Sequence, residues 1–125
     1  TDFIKKSISE KSELLKQMRP ARIIAVAGTP TTLADILLGG GFEQKKIDNF
    51  FISNKTIIEW VGRLAQMSVA ERLKLRGMAK GREDVIVSGL IILSELVKVL
   101  GLDGIFVSTK GVRYGVAIAG FRGTL

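Results

Sequence analysis

Gly28, Thr29, Thr31 and Thr32 are the residues of this chain whose types and spacing best suit contact with an anion. They sit between a short β-prone apolar run, Ile23 to Ala27, and an apolar helical pattern that continues to Leu38. A glycine without a Cβ lets a ligand approach the backbone. Threonine hydroxyls add donors, and free amides at a helix N-terminus carry partial positive charge, so the turn is a candidate seat for phosphate. The spacing places Thr29 at the N-cap and Pro30 at the first helical position, leaving Thr31, Thr32 and their amides facing outward. An ordinary capped strand-to-helix turn carries the same signature, and the local sequence leaves both readings open.

A second feature is the run Arg72, Lys74, Arg76, Lys80 and Arg82, five basic residues with no acidic one among them. It reads either as a solvated face or as a polyanion contact. No aromatic residue interleaves with these charges and no RNA-stacking motif is visible, so RNA is not the expected partner. The overall balance agrees with a polyanionic partner: 19 basic against 12 acidic residues give a net charge of +7. Cysteine and histidine are both absent, which removes disulfides, thiol catalysis, zinc sites built on those ligands and serine–histidine chemistry. Any chemistry must use carboxylates, hydroxyls, Lys, Arg or an oxygen-bound metal.

At 125 residues the chain is expected to be a single domain or a fragment of one, α/β in class. Asp2 can cap a first helix with Ile4, Ile8, Leu15 and Met18 near one face, ended by Pro20. Gly39 to Gly41 closes the helix after the threonine turn and forms a loop; a glycine triplet can hug phosphate, but here it follows a helix. Phe42 to Ile52 reads as a short helix and an extended link. Ile57, Trp60, Val61 and Leu64 mark an amphipathic helix starting at Ser53 or Thr56. Ser68 and Glu71 form a capping-box pattern for another, ending near Arg76. Asp84 to Leu100 is apolar on nearly every side, too short for the ~20 residues of a membrane span, and is expected to be a buried helix of a soluble, cytoplasmic protein. Gly101 and Asp103-Gly104 end it. A second strand, Ile105 to Val107, ends at Ser108 and feeds through Thr109–Gly115 into a last helix. Two parallel strands would place the Gly28 and Ser108–Gly111 turns on one sheet edge, where ligands bind in α/β sheets. The chain begins at Thr1 and is expected to be an excised segment.

Four motifs in order carry a family resemblance: Gly28-Thr29-x-Thr31-Thr32-Leu33-Ala34; Met67-Ser68-x-x-Glu71-Arg72; Gly81-Arg82-x-Asp84-Val85-Ile86 with Gly89 and Ile92-Leu93; and Val107-Ser108-x-x-Gly111-Val112-Arg113-x-Gly115. Over residues 22–118 the chain resembles the exopolyphosphatase and guanosine pentaphosphate phosphohydrolase family, Ppx/GppA. Its last motif departs from the family's Leu-Arg-Glu-Gly, with Tyr114 in place of glutamate. The resemblance implies the actin, heat-shock chaperone and sugar-kinase superfamily, in which two ribonuclease H-like domains close over a phosphate-bearing ligand. This chain would be the later part of the second domain, about two parallel strands with five to six helices, and Ile23 to Leu37 looks like the superfamily's adenosine motif.

The activity so implied is release of terminal phosphate from polyphosphate or guanosine pentaphosphate, usually with Mg²⁺ held mainly outside this chain. The family's water-positioning glutamate and its Asp-x-Gly-Gly-Gly-Ser loop are absent here, so no catalytic or metal-ligating residue is assigned and the segment alone is expected to be inactive. By the resemblance, Gly28, Thr29, Thr31 and Thr32 would contact phosphate or nucleotide. Arg82 would stack on a base or pair with phosphate, or be structural beside Asp84. Lys110 and Arg113 would extend a positive track, the alternative for Arg113 being a buried ion pair. Expected partners are polyphosphate, guanosine penta- or tetraphosphate, the upstream domains of the same enzyme and a second copy through a bare strand edge unless the first helix covers it. The rival functions are a non-catalytic polyanion-binding module and a sugar- or acetate-kinase-like relative; the Arg82-x-Asp84-Val85-Ile86 block argues against the latter.

Overall fold

The computed structural model describes residues 1–124. A three-stranded sheet lies at the centre: β1 (Ile23–Val26), β2 (Phe51–Ser53) and β3 (Gly104–Ser108), in the order β1-β3-β2. The helices are α1 (Asp2–Glu10), α2 (Ser12–Gln17), α3 (Gly28–Leu37), α4 (Gln44–Ile47), α5 (Asn54–Ala65), α6 (Val69–Leu73), α7 (Ile86–Leu100) and α8 (Val112–Phe121). The α/β class is as expected, and β1 and β3 are parallel, from Ile23 opposite Ile105 to Val26 opposite Ser108. Their carboxyl ends, and the turns that follow them, therefore share one sheet edge.

Two counts differ from the sequence expectation. The sheet has a third strand, β2, antiparallel to β3, where an extended link was expected. Three residues are too few for an alternating pattern to declare itself. Eight helices stand where the family resemblance implied five to six; the first expected helix breaks at Lys11 (φ −103°, ψ 1°) into α1 and α2, and α4 and α6 are short. Asp2 opens α1 from inside, with Thr1 at the cap position and no side-chain cap bond. Ile4, Ile8 and Leu15 are half-buried against the neighbouring structure, whereas Met18 is exposed. α1 and α2 pack on α7, and the outer edge of β1 pairs with no strand among the described residues.

The core lies on one face of the sheet. Ala25, Ile52, Ile105 and Val107 point into it and meet Leu33 and Ala34 of α3, Ile57 and Leu64 of α5, and Ile86, Leu90 and Val97 of α7. Local chemistry fixes the helix ends. Ser53 accepts the Thr56 amide at 3.1 Å at the start of α5, and Ser68 and Glu71 complete both bonds of a capping box on α6. Gly101, at φ 64°, closes α7 in the left-handed conformation.

The opposite face is bare. Ile24, Phe106 and Phe51 stand in one row across the three strands, with the Phe51 and Phe106 rings 5.1 Å apart and Arg22 over Phe106. Beside it α8 buries none of its residues, and Val112, Val116, Ile118 and Phe121 are all exposed. Among the described residues no helix is long and apolar enough to cross a membrane.

Candidate functional site

Helix α3 starts earlier than its sequence predicts. The N-cap is Ala27, not Thr29, held at φ 73° and ψ −170°, a conformation that L-residues rarely adopt. The sharp turn at Ala27 makes Gly28 the first helical residue and moves Pro30 from the first helical position to the third. Thr31 uses its hydroxyl on this turn, donating to the carbonyl of Ala27 at 2.8 Å. Thr29 points away from the turn and packs on α7: a Cβ added at Gly89 would stand 2.7 Å from Thr29 Oγ1.

Gly28, Thr31, Thr32 and Asp35 recur at i, i+3, i+4 and i+7 and so form one stripe along α3. That stripe is a wall of a cleft of about 600 Å³. Gly77, Met78, Ala79 and Arg82 supply the facing wall, and Gly41 and Phe42 border the cleft as well. The facing wall is a loop that lies directly on the helix backbone. Gly77, at φ 95°, comes so close that a Cβ there would stand 2.7 Å from the Ile36 amide nitrogen and 2.8 Å from the Asp35 carbonyl carbon.

Arg82 reaches back to the helix N-terminus. A Cβ at Gly28 would stand 2.5 Å from Arg82 Cζ and 2.7 Å from Nη2, so the absence of a side chain at Gly28 is what admits the guanidinium. Among the described residues the ion pairs are Lys16–Glu13, Lys46–Glu43 and Lys98–Glu95, and Arg82 takes part in none, Asp84 notwithstanding. A cation against the positive end of a helix concentrates positive potential in one place, an arrangement that an anion relieves.

Asp35, 8% exposed, is the cleft residue that sequence reasoning missed. Its Oδ1 accepts the Phe42 amide at 2.9 Å, and Oδ2 takes no hydrogen bond among the described residues. The signal that could have found it is its place seven residues after Gly28 as the one charged residue of α3. Thr32, 3% exposed, lines the same cleft.

The other basic residues divide by role. Arg72 is structural: Nε donates to the Leu64 carbonyl at 2.8 Å and Nη1 to the Glu83 carbonyl at 2.8 Å, tying α6 to the end of α5 and to the loop before α7. Arg113 lies in a separate cleft of about 320 Å³, with Val26, Ala27, Thr109, Gly111, Val112 and Tyr114, on the β1 side of the same turn. It is exposed and makes no ion pair among the described residues, so the buried pair expected as its alternative does not form. Lys110 is exposed, and its amide donates to Ser108 Oγ at 3.1 Å. Asp48 anchors this loop: its Oδ1 accepts from the Thr109 amide at 2.6 Å and the Thr109 hydroxyl at 2.8 Å. The amide bond first, then the hydroxyl and the charge of Lys110, hold the Asp48 carboxyl below its usual range against the opposing effect of burial.

The model of the Ppx/GppA phosphatase family matches residues 1–120. Among solved structures, an exopolyphosphatase from Cytophaga hutchinsonii superposes with a TM-score of 0.82 at 22% identity, covering 98% of this chain and 42% of that one. The Aquifex aeolicus member of the Ppx/GppA family superposes with a TM-score of 0.78 at 22% identity, covering 94% and 41%. At that identity the likeness shows the fold. The chain spans about two fifths of the length of the structures it matches. No curated protein matches it.

Proposed function

The chain belongs to the Ppx/GppA phosphatase family, and from that premise we propose that it forms one wall of the ligand cleft of a phosphoanhydride hydrolase. The reaction would be release of terminal phosphate from inorganic polyphosphate or guanosine pentaphosphate, in the cytoplasm. One observation carries the reading: the Arg82 guanidinium, in no ion pair among the described residues, set against Gly28 at the N-terminus of α3. Two sources of positive charge converge there on a cleft open to a ligand, the electrostatic requirement for holding a phosphate chain while charge shifts toward a leaving oxygen.

Within this wall, Gly28 and Arg82 hold phosphate, with Thr31 and Thr32 lining the cleft beside them. Thr29, turned toward Gly89, supports the helix. Lys110 and Arg113 extend the positive surface past Ala27 toward the second cleft. The carboxylate that orients the attacking water is assigned to parts of the enzyme outside this chain. So is Mg²⁺, whose chemistry is neutralisation of phosphate charge; among the described residues no three His, Cys, Asp or Glu side chains converge. The bare sheet face at Ile24, Phe106 and Phe51, with the uncovered α8, is the surface proposed to receive the upstream part of the same enzyme or, in the isolated chain, a second copy.

The test is phosphate release from tripolyphosphate and from guanosine pentaphosphate in the presence of Mg²⁺. Enzyme that includes this segment turns both or one over, and the 125-residue chain alone binds without turnover; release by the isolated chain contradicts the division of roles.

A further inference from the structure

The wall that faces α3 owes its place to the loop that follows the helix. Gly39, Gly40 and Gly41 stand at φ 90°, 80° and 102°, and Phe42, which carries a side chain, continues them at φ 41°. Residues in this region form no repeating structure of their own, and for Phe42 the conformation is costly. One residue holds the run from the helix side. The Asp35 carbonyl accepts the Gly40 amide at 2.8 Å, and its carboxylate Oδ1 accepts the Phe42 amide at 2.9 Å. Because Asp35 is buried, the second bond is made where water competes little for either partner. The connection from α6 to α7 rests on the loop so held. A Cβ at Gly40 would stand 2.5 Å from Arg76 Cγ and 3.0 Å from the Gly77 amide nitrogen. The Gly77 backbone thus lies against the glycine loop as well as against Asp35 and Ile36 of α3. From there the connection turns, the Arg82 amide donating to the Ala79 carbonyl at 3.1 Å, and delivers Arg82 to Gly28.

We propose that Asp35 is a positioning residue for phosphate binding: its carboxylate fixes the Gly40–Phe42 loop, and that loop, through Gly77, fixes Arg82 at the start of α3. This rests on the reading of the Gly28–Arg82 end as the phosphate end. The sign of the effect separates the role from direct contact. Asp35 lines the cleft with a carboxylate that joins no ion pair among the described residues. Toward a phosphate chain such a charge is repulsive, so a residue acting by contact would tighten binding when removed. A residue acting by position weakens it. Asparagine keeps the oxygen that the Phe42 amide uses and loses the charge, so it serves the positioning role as well as aspartate does.

The experiment is a tripolyphosphate titration of the parent chain, Asp35→Ala, Asp35→Asn, Arg82→Gln and the Asp35→Ala, Arg82→Gln double variant, with amide NMR spectra of each before ligand is added. Alanine is at home in a helix interior, so Asp35→Ala retains α3. It is expected to bind about fivefold more weakly than the parent, the size of effect expected between residues coupled through shared backbone contacts. Its amide signals at Gly77–Arg82 should already be displaced without ligand, whereas Asp35→Asn should bind at least as tightly as the parent. On the Arg82→Gln background, Asp35→Ala should weaken binding no further, since the side chain that it positions is gone. A loss that repeats in full on that background is general structural damage and overturns the proposal. Tighter binding by Asp35→Ala overturns it too, as does Asp35→Asn binding as weakly as Asp35→Ala. If Arg82→Gln weakens binding and Asp35→Ala does not, the positioning role falls and the phosphate reading stands. If the parent does not bind tripolyphosphate, or binds it no better than Arg82→Gln does, the phosphate reading falls and the proposal with it.

Discussion

The guanidinium of Arg82 occupies the space that a side chain at Gly28 would fill, 2.5 Å from that Cβ position to Cζ. Gly28 is helical and its backbone is not in the left-handed region, so an alanine there is free of backbone strain. Because the obstructing atoms are the far end of a flexible side chain, Arg82 can swing away. Gly28→Ala is therefore expected to leave the thermal midpoint unchanged or to raise it, since alanine in a helix is favoured over glycine by about 0.5–1 kcal/mol. Affinity for tripolyphosphate should fall severalfold as the guanidinium leaves the helix terminus. Calorimetric melting and titration on the same sample check both halves; a variant that binds normally removes the significance of the contact.

Gly77 makes the opposite case. Its φ of 95° and its approach to the backbone of Asp35 and Ile36 leave no flexible group to yield. Gly77→Ala is expected to cost about 1–3 kcal/mol in denaturant unfolding, because the loop must lift off α3. The same lift widens the cleft, so ligand affinity should drop even under conditions where the variant is fully folded.

Asp48 gives a pH dependence with a definite sign. Its folded carboxyl is held below the usual range by the Thr109 amide and hydroxyl and by Lys110, so the unfolded chain binds the proton more readily. The stabilisation is fully present above the ordinary aspartate range and is lost as pH falls through the depressed folded value. Asp48→Asn should be less stable than the parent at neutral pH, with a shallower loss on acidification. Parallel acid titrations of stability for the two proteins check this, and coincident acid limbs would remove Asp48 from the account.

Much of this arrangement was legible from the sequence. The strand before Gly28, the capping box at Ser68 and Glu71, the long apolar α7 with its glycine stop and the parallel β1–β3 pair all have local causes written in adjacent residues. The start of α3 did not, because Thr29 and Pro30 are a good cap and a good first residue, and only the packing of Thr29 on Gly89 and the turn at Ala27 decide for the earlier start. β2 gains its strand from pairing with β3, a partner more than fifty residues away. Arg72 and Arg82 look alike in a basic run, yet one is spent on two backbone carbonyls and the other lies against a helix terminus with no ion pair among the described residues. Asp35 sat unnoticed among apolar neighbours because its importance comes from the loop at Gly77–Arg82 that folds over it.

The central claim is that the Gly28–Arg82 end of the cleft binds phosphate. The most direct measurement is a tripolyphosphate titration followed by amide NMR, on the parent chain and on Arg82→Gln. Shifts confined to the start of α3 and the loop at Gly77–Arg82, with affinity reduced about tenfold or more in the variant, are the predicted result. Shifts centred on Lys110 and Arg113, or an affinity untouched by Arg82→Gln, would contradict the account.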